Sequence, residues 1–331
     1  MGAGLRPWAA WSSATPEVTQ LQQRWRFKGS WGARMPEFRY VICDVFTDRP
    51  LEGNPLAVFT DAREIPEALL QLLAREMHLS ETVFCYPARG TGHVRIRIFT
   101  PGHELPFAGH PVLGSAFVLA APLQLPEIVL ETGVGPVPVR IERDGPRIVF
   151  GRMVQPVPRV EAVADPAPLL RALGVARAAL PVEIYDNGPR HVFVALDSEA
   201  EVAALQPDFQ ALARLRQRGR ANCFAGAGRH WKTRAFALGA GVPEDPATGS
   251  AAGPLACHLA RHGRIRFGEE IEIRQGAEIG RPSVLFARAD GTAAAIERVE
   301  VGGSAVTVAR GEFRLPEWIC GRTSPSRHIL D

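Results

Sequence analysis

Two short stretches constrain this chain more than its size or composition does. His110-Pro-Val-Leu-Gly-Ser115 and Asp245-Pro-Ala-Thr-Gly-Ser250 share Pro, Gly and Ser at a common offset of 135 residues. Each follows a strand-like run and a loop, and each opens an apolar helix-like run. Recurrence at the same place in the order of elements marks a duplicated unit. The expectation is two similar lobes, with a cleft between them where the paired helix starts face each other.

The rest of the pattern agrees with an α+β fold. Strands are expected over Tyr40–Phe46 and Leu56–Phe59, around the turn Gly53-Asn-Pro55. Pro66 at a first turn predicts a helix running to about Met77. Thr82–Tyr86 reads as a strand, and His93–Phe99 alternates with the period of a half-buried one. A loop from Thr100 to Gly109 precedes a helix over Pro111–Ala121. The second half repeats the order, with strands over His191–Leu196 and Thr233–Leu238 and a loop over Gly239–Pro246. A helix follows over Thr248–His262, with Gly263 at its C′ position. Closing strands are expected near 270–275, 281–288, 294–300 and 305–309. Glu131-Thr-Gly133 has a counterpart in Arg274-Gln-Gly276. The resulting division is a leader over 1–34, an N-terminal lobe over 35–150 completed by 305–318, and a C-terminal lobe over 151–304.

The leader stands apart. It carries five basic residues against Glu17 alone, a local +4 that leaves −1 for the remainder of the +3 total. It lacks the apolar core of a secretory signal and weakly resembles a transit peptide. The patterned sequence begins at Met35, so the leader is expected to be peripheral to function. A nearly neutral body argues against a nucleic-acid partner. No apolar run approaches the roughly 18 residues that span a membrane. The five cysteines are dispersed, with no C-x-x-C, which fits free thiols in the cytoplasm. The histidines form no H-E-x-x-H or comparable spacing, so no metal is expected.

The motifs also carry candidate chemistry. A helix start offers unpaired N–H groups and a positive dipole end, which suit a carboxylate or phosphate. Gly114 and Gly249 would let backbone approach a ligand, and Ser250 adds a hydroxyl. Ser115, deep in an apolar run, reads as packing. His110 would titrate near neutral pH. Asp245 would be kept ionised by its helix end, or would serve only as an N-cap. Glu81, between a helix end and an apolar strand, is the third candidate. In apolar surroundings its carboxyl would be raised and could both give and take a proton; otherwise it is a solvated turn residue or an arginine partner.

These residues sit in a wider set of matches. Asp44-Val-Phe46, Gly53-Asn-Pro-Leu-Ala-Val58, Ser80-Glu-Thr-Val-Phe84, Phe107-Ala-Gly-His-Pro111, Asn187-Gly-Pro-Arg190, Glu244-Asp-Pro-Ala-Thr-Gly-Ser250, Gln275–Ser283 and Val301-Gly-Gly-Ser-Ala-Val306 together resemble the PhzF-like proteins of phenazine biosynthesis. The resemblance spans about Arg39 to Pro316. It implies two pseudo-symmetric diaminopimelate epimerase-like lobes, each a barrel-like sheet around a central helix. It also implies a cofactor-free site between the lobes and a homodimer. The cysteine pair of the epimerases is replaced here by His110 and Asp245. By resemblance Glu81 moves the proton, as in dihydro-3-hydroxyanthranilate isomerisation, while His110, Asp245 and Ser250 hold the substrate. Ser80, Gly109, Asn187, Gly188, Thr248 and Gly249 complete the expected binding set, and substrate choice is expected around Gly133–Gly135 and Asn187–Gly188. The expected partner is a small carboxylated substrate. Two other functions remain open at this level: a two-base epimerase using His110 and Asp245, and a binding or scaffold protein without turnover.

Overall fold

The computed structural model describes residues 36–215, 219–236 and 243–315. The leader, the end of the strand expected to reach Leu238, the first half of the 239–246 loop, residues 316–318 and Cys320 lie outside the described residues. The first half of the chain forms β1 (Glu37–Val45), β2 (Asn54–Phe59), α1 (Glu67–Met77), β3 (Glu81–Pro87), β4 (Val94–Phe99), β5 (Glu104–Leu105), α2 (Gly109–Leu123), β6 (Glu127–Thr132), β7 (Gly135–Asp144) and β8 (Arg147–Gln155). The second half forms β9 (Arg159–Ala162), α3 (Ala167–Leu173), β10 (Glu183–Asp186), β11 (Arg190–Ala195), α4 (Glu199–Ala204), α5 (Phe209–Arg214), β12 (Arg220–Ala227) and β13 (His230–Phe236). It closes with β14 (Glu244–Asp245), α6 (Gly249–Arg261), β15 (Glu270–Gln275), β16 (Ser283–Gly291), β17 (Ile296–Gly303) and β18 (Ala305–Arg314).

Strand pairing makes the duplication explicit. One continuous path runs β18-β1-β2-β3-β4-β6-β7-β8 and then β17-β16-β15-β13-β12-β11-β10-β9. Each half holds two parallel pairs, β2·β3 and β4·β6 in the first, β11·β12 and β13·β15 in the second. Parallel neighbours need a crossover between them. Helix α2 crosses between β4 and β6, and α6 crosses between β13 and β15, so each central helix is threaded through its own curved sheet. β18, from the chain's end, supplies the outer partner of β1 along nine residues of that strand.

The two central helices explain why the sheets curl. α2 is apolar on all sides and buries Val112, Leu113, Ala116 and Phe117, while α6 buries Ala251, Ala252, Leu255, Ala256 and Leu259. A helix hydrophobic all round must be enclosed. Both helices share one core cluster with the inward strand faces. The outer faces are covered separately: α1 packs Leu69, Leu70 and Leu73 with Phe59 and Phe84, and α3, α4 and α5 pack Leu169, Leu173, Val202 and Leu212 with Val192 and Val194.

The structure adds strands that the sequence pattern hid. β7 alternates buried Val137, Val139 and Ile141 with solvent-facing residues, yet Pro136 and Pro138 obscure it. Helix α2 starts two residues earlier than expected, at Gly109, so His110 lies inside its first turn. Gly263 takes the left-handed conformation expected beyond α6 (φ +66°).

Candidate active site

The offset between the halves is the first correction. β5 and β14 pair equivalently with β4 and β13, through Phe99↔Glu104 and Phe236↔Glu244. The helices then begin at Gly109 and Gly249, so the structural offset is 140. Glu104-Leu-Pro-Phe-Ala-Gly-His110 therefore matches Glu244-Asp-Pro-Ala-Thr-Gly-Ser250. His110 is equivalent to Ser250 and not to Asp245, whose counterpart is Leu105.

The helix starts meet head to head. A Cβ on Gly109 would lie 2.3 Å from the Gly249 carbonyl carbon and 2.4 Å from the Ser250 nitrogen, and one on Gly249 would lie 3.0 Å from the His110 nitrogen. Only glycine permits this approach. These glycines thus bring two helix starts together. Gly114 does not serve a ligand as expected: its missing Cβ makes room for Leu56, Val45 and Cys43 in the core.

Around this junction the predicted residues converge. Glu81 opens β3, where it is 3% exposed, and its Oε2 lies 3.3 Å from His110 Nε2. Neither of these two atoms has a hydrogen-bond partner among the described residues, so the contact is close but off the hydrogen-bond direction. Arg220, which opens β12, places Nη2 3.6 Å from Glu81 Oε1. Glu81 and Arg220 are themselves equivalent, because Thr82 pairs with Phe99 as Ala221 pairs with Phe236. Asn54 Nδ2 donates to Asp245 Oδ1 at 2.7 Å and to the Ala247 carbonyl at 3.0 Å, and lies 3.1 Å from His110 Nδ1. Thr248 Oγ1 donates to Asp245 Oδ2 at 2.7 Å, and the Ser80 hydroxyl also donates to that carboxylate. Gln275 closes the network, donating to the Asp245 carbonyl at 2.8 Å and accepting from the Thr248 N–H at 3.1 Å.

Burial sets the protonation states. It pushes the Glu81 carboxyl up to about 8, against the pull of Arg220 and with Asp245 adding to the rise. The second alternative for Glu81, a solvated turn residue, is thereby excluded; it is both buried and an arginine's neighbour. Burial, helped by the Arg220 charge, holds His110 down at about 3, so it is neutral near pH 7 and does not titrate there as expected. Asp245 is pushed up by burial, opposed by Arg220 and by its three hydroxyl and amide donors. Burial thus works against the ionised form that the helix end was expected to favour, while these donors support it. Nor is Asp245 an N-cap, since Thr248 occupies that position.

Asn187 has a task within the fold. Pro254 has no N–H to give the Ser250 carbonyl, and Asn187 Nδ2 donates to it instead at 3.0 Å. Gly188 (φ +117°) leaves room for Val134, 3.3 Å from where its Cβ would stand, so the 133–135 and 187–188 segments adjoin across the halves. Ser115 is fully buried with an unpartnered hydroxyl, in line with packing. A cavity of about 560 Å³ with Gln275 in its wall has none of Glu81, His110 or Asp245 there.

Sequence reasoning missed Arg220 and Asn54. Asn54 lay in the quoted Gly53-Asn-Pro turn; Arg220 carried no local signal. It also passed over His258-x3-His262, whose nitrogens come within ligand reach of Glu183. Tyr185, His258, Arg261 and His262 all converge on Glu183 Oε2, at 3.0, 3.1, 2.9 and 3.0 Å. The Arg261 guanidinium thus already supplies the cation, and the cluster ties α6 to β10.

A family model for phenazine biosynthesis-like proteins matches residues 43–311. The chain belongs to the PhzF-like family. It is 53% identical over 276 residues to the trans-2,3-dihydro-3-hydroxyanthranilate isomerase of Pseudomonas fluorescens, covering 83% of this chain and 99% of that protein. Among solved structures, the PhzF-family phenazine biosynthesis protein of Bacillus anthracis superposes with a TM-score of 0.73 at 23% identity, covering 85% of this chain and all of that one. A hydroxyproline epimerase from Agrobacterium vitis shares the fold at a TM-score of 0.61 and 12% identity, over 89% of this chain and 97% of its own. This PhzF-like chain is therefore an isomerase with two diaminopimelate epimerase-like lobes, as the motifs implied.

Proposed function

We propose that the chain isomerises trans-2,3-dihydro-3-hydroxyanthranilate or a close cyclic amino-carboxylate, with Glu81 carrying the proton. The observation that supports this most is the buried Glu81 carboxyl, poised at about 8 between a neutral His110 and the Arg220 cation. A carboxyl near the working pH can take a proton from one carbon and return it to another. The C–H bond that breaks and the one that forms lie in the same molecule, so no redox or group-transfer cofactor is needed. The N–H groups of Gly109, His110, Gly249 and Ser250, with the Ser250 hydroxyl, receive the substrate carboxylate. Asp245, with Ser80 and Thr248 fixed on it, faces the amino-bearing part, and Asn187 and Gly188 border the pocket. The lobes 35–150 with 305–318 and 151–304 close over the substrate, in a homodimeric cytoplasmic enzyme.

The two-base epimerase is disfavoured because His110 and Asp245 are not equivalent across the halves. The test is Glu81→Gln in D2O. Substrate should still bind, while solvent deuterium no longer enters substrate or product. Undiminished exchange in that variant would end the assignment.

A further inference from the structure

We propose that Asn54 is a positioning residue that fixes the tautomer of His110, so that the imidazole N–H lies beside Glu81 and is free for the substrate. This rests on the isomerase reading of Glu81. Asn54 is fully buried at the start of β2, and its Nδ2 faces three atoms: Asp245 Oδ1 at 2.7 Å, the Ala247 carbonyl at 3.0 Å and His110 Nδ1 at 3.1 Å.

The amide orientation follows from its partners. The Ala247 carbonyl can only accept, and the Asp245 carboxylate accepts, so the nitrogen and not the oxygen of Asn54 must point at them. Turned the other way, the amide would bury its oxygen against two acceptors. A His110 carrying its proton on Nδ1 would then set that proton against the amide N–H groups. Nδ1 is accordingly the lone-pair nitrogen, and in the neutral ring the proton sits on Nε2. Nε2 is the atom 3.3 Å from Glu81 Oε2. A neutral imidazole in this form can donate to an oxygen that gains charge as Glu81 takes the proton, without supplying a competing base.

The same amide joins the halves. His110 comes from α2, Asp245 from β14, and Asn54 touches both. The groups around His110 are Glu81 on β3, Asp245 on β14 and Arg220 on β12, with Arg220 acting on it through its charge. Among the described residues Asn54 is the hydrogen-bonding neighbour of Nδ1, at 3.1 Å.

Replacement by aspartate inverts the arrangement, because a carboxylate at position 54 accepts from Nδ1–H and moves the ring proton off Nε2. The experiment compares Asn54→Asp, Asn54→Ala and the parent protein, with ¹⁵N-histidine labelling to read the His110 nitrogens. The parent should show Nε2 protonated. Asn54→Asp should show Nδ1 protonated and lose kcat by about 10²–10³-fold with a smaller change in KM. Asn54→Ala should show a mixture of tautomers and an intermediate kcat. An unchanged tautomer in a folded Asn54→Asp protein overturns the proposal, as does a tautomer change with kcat intact. Loss of exchange in Glu81→Gln alongside normal Asn54 variants would sink this inference and leave the isomerase reading standing. Exchange that persists in Glu81→Gln sinks the reading itself.

Discussion

The two helix starts differ in an instructive way. Over 104–110 and 244–250 the scaffold repeats: Glu104 and Glu244, Pro106 and Pro246, Gly109 and Gly249. Arg97 and Arg234, each two residues before the end of β4 and β13, bind the equivalent glutamates. Gly133 and Gly276 each lean on the equivalent proline. The chemical positions have diverged completely. Glu81 faces Arg220, His110 stands where the other half has Ser250, and Asp245 stands where it has Leu105. Residues that bring the halves together kept their type, because a Cβ or a lost ion pair at these sites would separate the helix starts. Residues of the proposed site differ between the halves, and one acid opposite one cation is the outcome.

The sharpest break of this comparison is at Glu81. Glu81→Gln should lower turnover by about 10²–10⁴-fold, the usual range for an acid–base group. If Glu81 takes the proton first, kcat/KM of the parent rises with pH up to about 8 and then levels. Arg220→Met removes the cation that holds the carboxyl down, so the same limb should move to higher pH. Stability gives an independent check. The folded value lies above the ordinary 4.5, so the folded protein keeps a proton that the unfolded chain releases. Stability conferred by this site is therefore greatest below about 4.5, falls as pH rises to about 8 and is level beyond. Denaturation of Glu81→Gln should lack that decline, and a constant difference between parent and variant across the range would refute the raised carboxyl.

Much of this was legible beforehand, for identifiable reasons. Glu81, His110 and Asp245 were found because each sits in a short motif at an element boundary, and the fold does gather them. The equivalence drawn between His110 and Asp245 was wrong because Pro-x-x-Gly-Ser matches at an offset of 135, whereas Glu-x-Pro-x-x-Gly matches at 140. Only strand pairing decides between two such frames. Arg220 was invisible because its role comes from β12 lying beside β11 and across from β3, long-range contacts that leave no local pattern. The effect of burial on Asp245 and His110 is hidden for a related reason: sequence indicates a helix start, but only packing reveals how completely water is removed.

The paired arginines offer the next contrast. Arg234 is nearly buried, held bidentately by Glu244 at 2.8 Å and donating to the Leu205 carbonyl at 2.7 Å. Arg97 is 20% exposed and shares two glutamates that are largely open to water. Arg234→Met strands a buried carboxylate and should destabilise by about 3–5 kcal/mol. Arg97→Met should cost under about 1 kcal/mol. Chemical denaturation of both variants measures the difference, and equal losses would mean that the two arms carry the same weight despite their burial.

The smallest effect separates fold from function at Asn187. Gly114 in α2 stands where Pro254 stands in α6, and a glycine there can still donate its N–H to the carbonyl one turn earlier. Only the second helix therefore needs a side chain to cover that carbonyl, and Asn187 supplies it. Asn187→Ala should cost about 1–2 kcal/mol for the buried acceptor left open. In a Pro254→Ala background the restored backbone N–H reaches Ser250 O, and the same substitution should cost little, a coupling of about 1 kcal/mol in a double-mutant cycle. An Asn187→Ala variant that raises KM without moving the denaturation midpoint would instead place this amide on the substrate, and the two helix starts would then differ in ligand contact as well as in backbone repair.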